Sequence, residues 1–114
     1  MILIVGGAAS GKRSYIRDVL GYPEEQITDA VLDDRPVICN LQDYIAAHPG
    51  SADDIFDELC AKEVVACDEV GSGVIPIGRA ERAAREETGR LCIRLAQRAQ
   101  RVIRLVVGIP SDLK

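Results

Sequence analysis

Residues 1–12 read MILIVGGAASGK, an apolar run from Met1 to Val5 that passes directly into Gly6, Gly7, Ala8, Ala9, Ser10, Gly11 and Lys12. The second part is a G-x-x-x-x-G-K phosphate loop. A buried strand, a glycine-rich turn and a following helix together grip a triphosphate, because the turn's backbone N–H groups converge on phosphate oxygens. Glycine at 6, 7 and 11 keeps Cβ atoms out of that approach, and Lys12 adds a point charge. The expected nucleotide-binding residues are Gly6, Gly7, Ala8, Ala9, Ser10, Gly11 and Lys12, with Arg13 and Ser14 leading into the helix. The motif calls for Ser or Thr after the lysine as a Mg²⁺ ligand. Arg13 stands there, and Ser14 comes one residue late, about 100° further round a helix. An ordinary strand-to-helix turn is the alternative reading.

Working outward, four short apolar runs read as buried parallel strands: residues 2–5, 36–39, 64–67 and 102–107. Each is followed closely by Gly, Asn or Asp, as expected where strand ends carry the chemistry. Helices are expected over residues 11–20, 24–32, 41–47, 51–62 and about 79–100, with Ser51 as a cap for the fourth. In the last, Leu91, Leu95, Ala99 and Val102 form a packing stripe, and Arg90, Arg94, Arg98 and Arg101 form a second one beside it. That arginine stripe reads as a solvated face, with a neighbouring subunit or nucleotide phosphates as alternatives. The expected fold class is α/β: a three-layer phosphate-loop nucleotide-binding fold with a mainly parallel sheet of four or more strands, in one domain spanning 1–114.

Composition narrows the function classes. The chain has 114 residues, 47% of them hydrophobic, with one Phe and no Trp, so its core is aliphatic. The net charge of −4 combines +5 between Gly78 and Arg104 with −9 elsewhere. An acidic chain with few aromatics does not suit nucleic acid. No window approaches a membrane span, and a cytoplasmic location is expected. Cys39, Cys60, Cys67 and Cys92 lack C-x-x-C spacing and sit in or beside apolar runs, which reads as buried structural thiols, with a metal site or disulfides as the alternative.

The run Val64, Val65, Ala66, Cys67 ends in two carboxylates, Asp68 and Glu69. An acid at that strand tip, beside the phosphate loop, can hold Mg²⁺ and orient an attacking group, so both are candidate metal ligands. A capping or surface pair is the alternative. Asn40 and Asp43, past the second strand, either contribute polar contacts to the site or cap the next helix. The continuation, residues 70–76 (VGSGVIP), suits a shaped loop that lets a ligand approach the backbone.

At residues 68–76 the sequence DEVGSGVIP resembles the NEVG-x-G-x-VP signature of the adenosylcobinamide kinase / adenosylcobinamide-phosphate guanylyltransferase family. GGAASGK at 6–12, REETGRLCIRLA at 85–96 and GIPSDLK at 108–114 keep that family's order. By this resemblance Lys12 and the loop hold a nucleoside triphosphate, GTP or ATP with Mg²⁺, and Glu69 serves the metal or the acceptor hydroxyl, so Lys12 and Glu69 are the catalytic candidates. The implied reaction is phosphoryl transfer to the hydroxyl of adenosylcobinamide, with cobinamide as partner. It also implies a homo-oligomer. The family's GMP-accepting histidine has no counterpart in a matching motif, since the one histidine, His48, stands in AAHPG at 46–50. His48 reads as a loop residue, with a displaced nucleophile as the alternative, and the guanylyl step is in doubt. Asp68 and Cys92 replace Asn residues of the family pattern. The competing reading is a nucleotide-binding or regulatory relative without catalysis; a purely structural module is a third.

Overall fold

The computed structural model describes residues 1–69 and 78–114. The shaped loop expected at 70–76 lies outside them. Among the described residues six strands form one sheet, ordered β2-β3-β4-β1-β5-β6: β1 Ile2–Gly6, β2 Ile27–Asp29, β3 Val37–Cys39, β4 Val64–Asp68, β5 Arg101–Val106 and β6 Ile109–Asp112. All neighbours pair in parallel except β5 and β6. β1 and β4 lie at the centre, and Leu3, Ile4 and residues 64–67 are at most 1% exposed, as expected for strands covered on both faces.

Alternation along β1 divides the core. Leu3 faces a cluster built with α2 (Leu41–Ala47), α3 (Ala52–Cys60) and α4 (Arg79–Arg98), while Ile4 faces a second one under α1 (Lys12–Asp18). These two clusters either side of the sheet make the expected three layers. Four of the five expected helices are present. Residues 24–32 are instead a single 3₁₀ turn, Glu24–Gln26, followed by β2. Ile27 and Thr28, both β-branched and nearly fully buried, pair with Val37 and Ile38 of β3, and that pairing makes a strand where a helix was expected. The strand stops where Ala30 takes a positive φ and donates its N–H to Cys39 O. β6 was also not expected: Val107 and Gly108, with φ of 48° and 75°, turn the chain back beside β5.

Of two expected caps, one is replaced by a longer-range contact and the other is not made. Ser51 Oγ is buried without a partner among the described residues, and the α3 N-terminus is held by Glu87 of α4, which accepts from Gly50 N at 2.9 Å and Ala52 N at 3.0 Å. Asn40 precedes α2 with φ of 57° and makes no side-chain cap. α4 ends at Arg98, so Val102 reaches the expected packing stripe from β5. The arginines of the expected second stripe tie surfaces together: Arg94 of α4 binds Asp53 at 2.6 Å and lies 4.2 Å over the Phe56 ring, and Arg101, now in β5, binds Asp112 at 3.0 Å.

Candidate functional site

The loop leaves β1 through a crowded corner. A Cβ at Gly6 would lie 2.5 Å from Ser10 Oγ and 2.7 Å from the Leu105 carbonyl oxygen, so glycine is required there by close approach. Gly11 enters α1 with φ of +90°, which L side chains rarely adopt. The β5–β6 turn braces the loop from outside, with Gly108 N donating to Ser10 O at 2.9 Å.

Lys12, the first residue of α1, is 8% exposed and folds back into the loop. Its Nζ donates to Gly7 O at 2.8 Å, and to Gly6 O and Ser10 Oγ at 3.3 Å each. It also meets Asp68 Oδ1 at 2.6 Å. The register explains that meeting: β1 and β4 are adjacent and parallel, and Gly6 is level with Asp68. The strand carrying the loop and the strand ending in carboxylates thus finish side by side.

The two carboxylates part company. Glu69, next in sequence, turns to β5 and accepts from Arg104 Nε at 2.6 Å and Nη2 at 3.2 Å. Arg13, in the position of the missing hydroxyl, is held by Glu24, which accepts from its Nη2 at 2.7 Å and its Nε at 3.1 Å. Arg13 and Arg17 together hold the Glu24 carboxyl below the usual carboxylate range. Ser14 is exposed on α1.

A side-chain chain supports Asp68 from the other direction. β3 pairs with β4 only as far as Ile38 and Val65, because the chain turns into α2 at Asn40. Beyond that point Gln42 Oε1 accepts the Asp68 N–H at 2.9 Å, replacing the missing strand. Gln42 Nε2 donates to Asn40 Oδ1 at 3.3 Å, and Asn40 Nδ2 donates to Asp29 Oδ1, at the end of β2, at 2.6 Å. Neither Gln42 nor Arg104 stood out in the sequence; both contacts join residues more than 25 positions apart, with no local signal.

Of the cavities that flank the loop, two share Ala8, Gln42, Asp43 and Asp68. One, about 480 Å³, runs along residues 8–14 toward Cys39 and Asn40. The other, about 610 Å³, opens between the loop, α2 and the start of α4, and includes Glu69, Glu81 and Thr88. Cys39 is buried beside the first, and burial pushes its thiol up to about 11. The four cysteines are free thiols; Cys39 and Cys67 are buried, whereas Cys60 and Cys92 are only partly so, and no group of three or more His, Cys, Asp or Glu side chains among the described residues could cage a metal. His48 lies outside both cavities, stacked on Tyr44 with ring centroids 4.2 Å apart.

Magnesium in nucleotide sites is held by one or two carboxylates plus phosphate oxygens and water, so a single acid beside the lysine fits this mode whereas an all-protein cage does not. Asp68 meets that requirement by position. Arg13, a cation bound elsewhere, does not.

A central strand opening into a glycine loop with a near-buried lysine, in a mainly parallel three-layer sheet, defines a phosphate-loop α/β protein. The family model described as cobinamide kinase / cobinamide phosphate guanyltransferase matches residues 27–113. The chain belongs to that family, as the motifs at 68–76, 85–96 and 108–114 led one to expect. The match takes in Asn40, Gln42, Asp68, Glu69 and Arg104, and starts after the phosphate loop. Among curated proteins none matches the chain. No helix among the described residues is long and apolar enough to cross a membrane.

Proposed function

We propose that the protein binds GTP or ATP with Mg²⁺ at residues 6–14 and transfers the γ-phosphoryl group to the hydroxyl of adenosylcobinamide. The observation that carries this reading is the meeting of Lys12 with Asp68 at the mouth of the phosphate loop, on two adjacent parallel strands. Phosphoryl transfer is largely positioning and charge stabilisation. Lys12 would move from the loop carbonyls to the phosphates. Asp68 would hold Mg²⁺ together with phosphate oxygens, and the ion would supply charge neutralisation there. Glu69, held by Arg104 and lining the larger cavity, would orient the acceptor hydroxyl. A cavity of about 610 Å³ suits the hydroxyl-bearing arm of the acceptor.

Guanylyl transfer is not part of the proposal, since His48 lies away from both cavities. We also propose a cytoplasmic homo-oligomer. Val106, Val107, Ile109 and Leu113, on or beside the edge hairpin, are each more than half exposed, and light scattering would read their burial in an assembly.

The test is calorimetric titration with GTP and ATP plus Mg²⁺, followed by incubation with cobinamide and mass detection of product. Binding with a phosphorylated product is expected. Binding without product favours the non-catalytic relative, to which Arg13 and the lack of a histidine in the family's position point. Absence of binding would overturn both.

A further inference from the structure

We infer that Gln42 is a positioning residue for Asp68, setting the carboxylate that serves the metal-bound nucleotide. The inference rests on the nucleotide reading above. In a parallel sheet each strand is held in register by both neighbours, but β3 ends its pairing with β4 at Ile38 and Val65, short of the site. Asp68 N–H would otherwise point at space vacated by the turn into α2. Gln42 fills that place with a side-chain carbonyl at 2.9 Å.

The amide orientation is dictated from both ends. A backbone N–H at Asp68 can only donate, so Gln42 presents oxygen to it and nitrogen to Asn40 Oδ1. Asn40 then presents nitrogen to the Asp29 carboxylate, which only accepts. The result is a directed chain along the C-terminal strand ends, from Asp29 through Asn40 and Gln42 to Asp68 and on to Lys12. Gln42 lies where the two cavities meet and, among the described residues, bonds to Asn40 and Asp68 rather than to the loop, so removing it changes the setting of Asp68 without removing Lys12 or the loop N–H groups.

That separation defines the experiment. GTP and ATP affinities are measured by calorimetry in EDTA and in Mg²⁺ for wild type, Gln42→Leu and Gln42→Glu, with a melting curve for each. Outer partners of metal ligands typically contribute 10- to 100-fold, so Gln42→Leu should lose roughly 10- to 100-fold of the gain from Mg²⁺, read as the ratio of its affinities in the two buffers, without a matching loss in EDTA. Gln42→Glu keeps an acceptor for Asp68 N–H and should recover most of that gain. Should Gln42→Leu not melt cooperatively, Gln42→Asn, polar but one methylene short, carries the same expectation. Equal losses in EDTA and Mg²⁺, or no loss in either, overturn the inference and leave nucleotide binding standing. A wild type that binds neither nucleotide overturns the proposed function and this inference with it.

Discussion

Asp68→Asn should have opposite effects on nucleotide binding with and without Mg²⁺. The substitution keeps the side-chain shape and the backbone N–H that Gln42 accepts, and it removes one negative charge from beside Lys12 Nζ, 2.6 Å away. An incoming phosphate must share the lysine with that carboxylate. At about 5 Å and an effective dielectric of about 20, two unit charges repel by about 3 kcal/mol. The Asp68 side chain is 25% exposed, and partial solvent screening brings this to roughly 1–2 kcal/mol. In EDTA the variant should therefore bind GTP or ATP roughly 5- to 30-fold more tightly than wild type. With Mg²⁺ the missing carboxylate matters more, and the gain from the ion should shrink by about tenfold or more. Lys12 keeps three loop oxygens as acceptors, so the fold should lose only about 1–2 kcal/mol, with melting falling about 4–8 °C per kcal/mol. Calorimetry of both proteins in both buffers decides it. Weaker or unchanged affinity in EDTA would refute the idea that Asp68 competes with phosphate for Lys12.

Gly6→Ala places a Cβ against the Leu105 carbonyl and Ser10 Oγ; it should cost about 1–3 kcal/mol in chemical denaturation, and a neutral result would mean the β1–β5 corner is looser than described. Glu87→Ala removes the acceptor of two N–H groups at the start of α3, and thermal melting should show a loss of about 1–2 kcal/mol, with Glu87→Gln retaining part of it. Burial raises the Cys39 thiol from 9.0 to about 11, so its thiolate fraction at pH 8 is about 100-fold below that of an unperturbed thiol. Iodoacetamide labelling read by peptide mass should be correspondingly slow and should climb about tenfold per pH unit until the thiol titrates.

How much was legible follows from the range of each interaction. The phosphate loop, β1 and β4 were readable because an apolar run, a glycine pattern and a terminal acid are local signals; α2 was placed at its observed bounds, Leu41–Ala47. Family membership was likewise carried by short motifs in order. What misled was also local: residues 24–32 follow a Gly-Tyr-Pro break and read as a helix, and only pairing with β3 makes Ile27–Asp29 a strand. Ser51 looked like a cap, yet a glutamate 35 positions away from Ala52 holds that helix end.

The sequence by itself determined the fold class, the loop and the presence of two acids at the end of β4. Only the tertiary structure decided which acid does what. Asp68 and Glu69 are chemically near-equivalent neighbours, but alternate residues of a strand point to opposite faces, so one meets Lys12 from β1's loop and the other Arg104 from β5. The same strand order set Gln42 against Asp68, since β3 ended early enough to leave an N–H for a side chain to satisfy.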